Sequence, residues 1–212
     1  METCVIFCAG EFDTLAESID KSDLIIAADG GLTHLEKLDM APDAIIGDFD
    51  SLGRIPVGAQ VFSVEKDDTD SMLAIRHGLD RGYRRFLIYG GLDGPRLDHT
   101  IANLQALHFL ADQAARGFLV GLSHVATVIK NECLSFGADA KGIVSVFCMG
   151  ADAQGVTIRG LKYGLEKGSL KAGFPLGVSN HFVGEKSEIS VENGSLLVVF
   201  ERENLIPEVT SC

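Results

Sequence analysis

The chain has 212 residues, 46% of them hydrophobic and 23% charged, which is the makeup of one large globular domain or two small ones and excludes a disordered polymer. A net charge of −12 excludes general affinity for nucleic acid or an anionic membrane, since both need a cationic face, but it does not exclude a nucleotide carried by a metal. The run Val5–Ala9 is too short for a membrane span or a secretory leader, and Cys4, Cys8, Cys133, Cys148 and Cys212 show no CxxC spacing and read mainly as small buried thiols, so a soluble cytoplasmic protein is expected.

In chain order, Cys4–Ala9 predicts a strand and Asp13–Ile19 a short helix. Leu24–Ala28 predicts a second strand, Leu32–Leu38 a helix after a double glycine, and Ala44–Ile46 and Gln60–Val64 two further strands. Met72, Ile75 and Leu79 share a helical face that stops at Gly82. Phe86–Tyr89 is strand-like, and Leu97, Ile101, Leu104, Leu107 and Ala111 mark a long amphipathic helix. Strand–helix alternation of this kind implies a parallel sheet flanked by helices.

The pattern changes near Gly121. Short runs at Ala126–Ile129, Ile143–Cys148, Val156–Ile158, Ile189–Val191 and Leu196–Phe200 follow, separated by glycines and charged turns. Asn193-Gly194 between two of these runs predicts a tight hairpin with positive φ at both positions. The expected architecture is an α/β N-terminal domain over 1–122 and an antiparallel β-sandwich over 123–212.

Aspartates stand where the predicted strands end: Asp29-Gly30-Gly31, Gly47-Asp48-Phe49-Asp50 and Lys66-Asp67-Asp68-Thr69-Asp70. Ligands of open α/β sheets bind outside the carboxyl ends of the strands. Carboxylates crowded there need a cation, and oxygen-only ligands favour Mg²⁺ delivered with phosphates. If the chain is extended at Phe49, Asp48 and Asp50 share one side, about 6.6–6.8 Å apart along the strand; the alternative is a solvated turn. One of Asp68, Thr69 and Asp70 suits a helix N-cap, which leaves Asp67 as a metal ligand and Lys66 as a phosphate contact. The glycines after Asp29 either make a tight turn or admit a phosphate to the backbone.

Gly90-Gly91-Leu92-Asp93-Gly94-Pro95-Arg96-Leu97-Asp98-His99 joins a strand to the long helix. It is neither GxxxxGK[ST] nor GxGxxG, yet such loops can cradle phosphate on backbone N–H groups. Arg96 offers a planar fork for phosphate oxygens, and Asp98 suits either Arg96 or a metal. His99 shares a helical face with Asn103; as a capping or surface residue it would have no ligand at all.

Taken together, Asp-Gly-Gly, Gly-Asp-Phe-Asp-Ser, Lys-Asp-x-Thr-Asp, Gly-Gly…Arg-x-Asp-His-x-x-x-Asn and Gly177-Val178-Ser179-Asn180 resemble the thiamin pyrophosphokinase family. The motifs run in that family's order from Asp29 to Asn180. The resemblance implies Mg²⁺-dependent transfer of pyrophosphate from ATP to the thiamin hydroxyl, giving thiamin diphosphate and AMP. It implies a homodimer with active sites at the subunit interface. By matching motif, Asp48, Asp50 and Asp67 would hold or support the metal with Asp29 and Asp70 nearby, and Arg96, Asp98 and Asn103 would belong to the nucleotide and phosphate site. Tyr163 occupies the place where animal relatives set a tryptophan against thiamin, and Ser179 and Asn180 can hydrogen-bond an aminopyrimidine or simply form a turn. Asp67 or Asp70 could accept the hydroxyl proton. Two other functions suit the same residues: another Mg²⁺-dependent enzyme of phosphate esters or diphosphates, and a nucleotide- or thiamin-binding regulator without catalysis.

Overall fold

The computed structural model describes residues 2–49, 58–61, 68–204 and 206–210. The expectations for Asp50, Lys66 and Asp67, and for 62–64 of the fourth predicted strand, lie outside the described residues. Contacts between Cα atoms divide the chain into two units, Met1–Ala106 with Leu119–Leu122 and Leu107–Phe118 with Ser123–Cys212.

The first unit is built on β1 (Cys4–Phe7), β2 (Leu24–Ala28), β3 (Ala44–Gly47), β4 (Gln60–Val61) and β5 (Arg85–Tyr89), in the order β5-β1-β2-β3-β4. The pairs are parallel, with Ile6 opposite both Ile26 and Ile88, and Ala28 opposite Ile46. All four residues of β1 are buried. Successive side chains of a strand point to opposite faces, so both faces here are covered, as an unbroken apolar run requires.

Helix α1 (Leu32–Lys37) follows a 3₁₀ turn at Asp29–Gly31, and α2 (Asp70–Asp80) and α3 (Leu97–Asp112) follow later. Thr69 is the N-cap of α2, its Oγ1 accepting from Met72 N at 3.3 Å. Gly78 of α2 leaves room for the sheet: a Cβ there would lie 2.7 Å from Phe86 Cε1 and from Cys4 Sγ.

The expected helix over Asp13–Ile19 is absent. Seven residues are too few to nucleate a helix unaided, and the Ala16 N–H goes instead to the hydroxyl of buried Tyr89 at 3.1 Å. The apolar stripe of α3 also differs from expectation, because Leu97 and Ile101 are exposed whereas Leu107 is buried. Strand β6 (Arg116–Val120), absent from the sequence reading, is shared between the units.

The second unit contains two antiparallel sheets. One has the order β12-β9-β14-β7, from Gly177–His181, Ile143–Cys148, Ser195–Glu201 and His124–Lys130. The other runs β11-β10-β13-β8-β15, from Leu165–Leu170, Ala153–Arg159, Ser187–Ser190, Cys133–Phe136 and Glu208–Thr210. Phe136 of β8 meets Phe200 of β14 edge-on at 5.1 Å, so side chains of the two sheets share one core, as in a sandwich.

Asn193-Gly194 is not a hairpin. The strands on either side, β13 and β14, belong to different sheets, and only Gly194 has positive φ. Asn193 instead exchanges backbone hydrogen bonds with Gln154. Among the described residues no helix is long and apolar enough to cross a membrane.

Candidate active site

Strands β1, β2, β3 and β5 end at one rim, where a cleft of ≈ 630 Å³ opens in the first unit. That volume lies within the range of about 300–1,000 Å³ usual for small-molecule sites. Its walls come from Cys8–Gly10 after β1, Asp29 after β2, Asp48 after β3, Thr69–Ser71 at the start of α2, and Gly90, Gly91 and Asp93–Arg96 after β5. His99, Thr100 and Asn103 of α3 complete the lining.

The parallel pairing brings the carboxylates together. Ala28 and Ile46 are partners in register, so the next residues, Asp29 and Gly47-Asp48, leave the sheet side by side. Gly47 permits this approach: a Cβ there would lie 3.0 Å from Asp29 Cα. Asp29, Asp48 and Asp70 each offer an oxygen, all within 4.8 Å of one another.

The extended geometry expected around Phe49 does not occur. Phe49 has φ 59°, a left-handed conformation that costs a bulky residue of order 1–3 kcal/mol, and its ring is buried in the core. Alternation along a strand therefore does not govern Asp48; its partners come from the end of β2 and the start of α2. Asp29 is also left-handed, with φ 47°. Gly31 is accounted for by packing, since a Cβ would fall 1.8 Å from the Phe7 carbonyl oxygen, and Gly30 and Gly31 are both buried. Neither lines the cleft.

The loop after β5 is laced to the loop after β1. Gly10 N donates to Gly90 O at 2.9 Å and Glu11 N to Asp93 O at 2.9 Å. Gly90 has φ 65° and could not carry a side chain against the Cys8 carbonyl. Asp93 Oδ2 accepts from Leu122 N at 2.6 Å. Cys8 lies at the inner wall; burial, with a smaller contribution from the charge of Asp70, pushes its thiol up to about 12.

Arg96 reaches the cleft lining, but Asp98 does not. The two form a bidentate pair, Nε to Oδ1 at 2.9 Å and Nη2 to Oδ2 at 2.6 Å, and both are largely exposed. Hydrogen bonding to Arg96 holds the Asp98 carboxyl well below the usual carboxylate range. This pairing uses two of the five guanidinium N–H groups and leaves three for a ligand. Exposed His99 lines the cleft. Asn103 is buried, donating from Nδ2 to Gly91 O at 2.8 Å and accepting at Oδ1 from Ser71 Oγ at 2.7 Å. Ser71 and Thr100 are absent from the sequence reading; the one signal for Ser71 is its place in the first turn of the helix that Thr69 caps.

Tyr163, Ser179 and Asn180 lie in the second unit. Tyr163 is 58% exposed, with the Lys162 ammonium 5.3 Å from its ring centre. Asn180 is buried and grips the Tyr163 backbone, accepting from its N–H at 2.9 Å and donating to its carbonyl at 2.7 Å. Exposed Ser179 has φ 60° in an irregular stretch of β12, and its N–H donates to Ser145 Oγ at 3.0 Å.

Comparison with known proteins follows the same division. Residues 15–119 match the family model "Thiamin pyrophosphokinase, catalytic domain" and residues 132–197 match "Thiamin pyrophosphokinase, vitamin B1 binding domain". The chain is 27% identical to thiamine pyrophosphokinase of Bacillus subtilis (strain 168) over 189 residues, which covers 85% of this chain and 88% of the relative. A crystal structure of thiamine pyrophosphokinase from Bacillus subtilis superposes with a TM-score of 0.85 at 23% identity, covering 94% of this chain and 99% of that one. Yeast thiamin pyrophosphokinase gives a TM-score of 0.73 at 17% identity, covering 97% and 88%. With both domain models matched in order, the chain belongs to the thiamin pyrophosphokinase family of transferases, a membership that supports synthesis of thiamin diphosphate from thiamin with a nucleotide as co-substrate.

Proposed function

We propose that this chain transfers the pyrophosphoryl group of ATP to the hydroxyl of thiamin, releasing AMP, with Mg²⁺ held at the rim of the first unit. The observation that carries this reading is the convergence of Asp29, Asp48 and Asp70 in a cleft also lined by Gly91 and Arg96. The donor set suits the ion: oxygens about 2.1 Å from Mg²⁺ sit roughly 3–4 Å apart in an octahedron, and three carboxylate oxygens within 4.8 Å span about one such sphere. When bound, the metal neutralises charge developing on phosphate oxygens. Arg96 presents its three remaining N–H groups to the polyphosphate, and the Gly90–Gly91 turn lets a phosphate approach the backbone. Asp50, Lys66 and Asp67 stay in the proposal on the sequence pattern alone.

The division of labour assigns residues 1–122 to metal and nucleotide and 123–212 to thiamin. Tyr163, held at its backbone by Asn180, offers an exposed aromatic face to a cationic ring, and Ser179 a hydroxyl. We further propose a cytoplasmic homodimer whose sites combine both subunits. Exposed Phe174, Leu176 and Val178 support it, because three large apolar side chains left to solvent within five residues of chain favour a protein contact.

Incubation with ATP, Mg²⁺ and thiamin tests the reaction. AMP and thiamin diphosphate formed one to one are expected. Phosphate release independent of thiamin would indicate a different phosphate-ester enzyme, and binding without turnover a regulator. Mixing Tyr163→Ala and Asp48→Asn chains tests the dimer: mixed dimers should regain activity, and their failure to do so would place each site within one chain.

A further inference from the structure

A directional hydrogen-bond chain crosses the wall of the cleft. Asn103 Nδ2 lies 2.8 Å from Gly91 O, and a carbonyl can only accept, so this contact fixes the orientation of the Asn103 amide. Asn103 Oδ1 is then an acceptor, and the Ser71 hydroxyl, 2.7 Å away, must spend its single proton on it. Thr69 Oγ1 stands 3.0 Å from Ser71 Oγ and therefore donates to it, while accepting from Met72 N. Every hydroxyl in the series both donates and accepts, an arrangement in which each bond polarises the next.

The chain brackets Asp70. Thr69 precedes it as the N-cap, Ser71 follows it, and both are tied through Asn103 to the turn at Gly91. The first turn of a helix is where fraying begins, and here that turn carries a carboxylate facing two others within 4.8 Å. Like charges at this separation repel one another, so a fixed first turn favours their convergence.

We propose that Ser71 is a positioning residue for the metal site: its bond to Asn103 ties the first turn of α2 to the Gly90–Gly91 loop and holds Asp70 beside Asp29 and Asp48 in the metal-free protein. The inference rests on the metal reading given above. It assigns Asn103 a structural link across the wall in place of direct contact with nucleotide. The hydroxyl contributes by preorganisation, so its removal weakens metal binding without touching a ligand.

The test uses the full chain and Mn²⁺ alone, an oxygen-preferring stand-in for Mg²⁺ whose free ion is read by electron paramagnetic resonance, without nucleotide or thiamin. Ser71→Ala should weaken Mn²⁺ binding about three- to tenfold, the range expected for one lost hydrogen bond. Ser71→Thr, which keeps the hydroxyl, should stay within about twofold of wild type. In turnover assays Ser71→Ala should raise the KM for Mg²⁺ while the KM for thiamin stays unchanged. Asp48→Asn separates the two levels of the argument. If it abolishes Mn²⁺ binding while Ser71→Ala binds as wild type, even with a lowered melting temperature, the link is structural only and the positioning role is overturned. If Asp48→Asn itself binds Mn²⁺ normally, the metal reading fails and the role of Ser71 fails with it.

Discussion

Asp48→Asn should make the metal-free protein more stable and the metal-loaded protein less so. At 4.8 Å, each pair among Asp29, Asp48 and Asp70 repels by about 0.9 kcal/mol in bulk water and by about 3.5 kcal/mol at an effective dielectric of about 20. All three residues are part-exposed, so the lower figure governs. The substitution removes two of the three pairs, about 1.7 kcal/mol at low salt and roughly half that at physiological ionic strength, where the screening length is about 8 Å. For a chain of this size that relief alone corresponds to a rise in melting temperature of about 2–7 °C in EDTA. Saturating Mg²⁺ reverses the order, because a ligand at a hundred times its Kd adds about 2.7 kcal/mol to the wild type and far less to a variant lacking one carboxylate. Thermal unfolding followed by circular dichroism, with EDTA and then with MgCl₂, measures both arms. If Mg²⁺ raises both proteins equally, the three carboxylates do not form a shared cation site.

Arg96→Lys keeps the charge and loses the fork, so the KM for ATP should rise about tenfold, while wild-type kinetics in Arg96→Ala would reduce the loop to a structural role. The depressed Asp98 carboxyl keeps the Arg96 pair intact above the ordinary carboxylate pKa of about 4 and loses it only as pH falls through the lower folded value; hence the pair should add no inflection to the ATP KM between about pH 5 and 8. Gly31→Ala would set a methyl 1.8 Å from the Phe7 carbonyl oxygen and should abolish soluble folded protein, so an unchanged melting temperature would refute that packing. Cys8, pushed up to about 12 chiefly by burial, should resist iodoacetamide at pH 8 in the native state and react once unfolded; rapid native alkylation, read by mass spectrometry, would contradict its place behind the cleft.

Much of this molecule is legible in its sequence because the signals are local. Unbroken apolar runs such as Cys4–Phe7 announce parallel strands, the capping candidates Asp68, Thr69 and Asp70 announce the start of α2, and aspartates placed at strand ends announce an acidic rim. The ordered motifs from Asp29 to Asn180 carried the family resemblance. Local reasoning failed where distant partners decide. The helix expected at Asp13–Ile19 is replaced by a loop whose Ala16 N–H bonds Tyr89, 73 residues away. Asn193-Gly194 carries a hairpin signal, yet its flanking strands enter different sheets because each pairs with strands far from it in sequence. The site shows the same limit. Sequence spacing joined Asp48 to Asp50 by alternation, whereas Phe49 turns left-handed and register between β2 and β3 joins Asp48 to Asp29. Sequence marks Asn103 and Asn180 as polar groups at the site, and only the fold shows that their amides bond the carbonyls of Gly91 and Tyr163. A sequence displays which groups can coordinate, donate or accept; which of them face a ligand depends on strand register and burial, and those are properties of the whole chain.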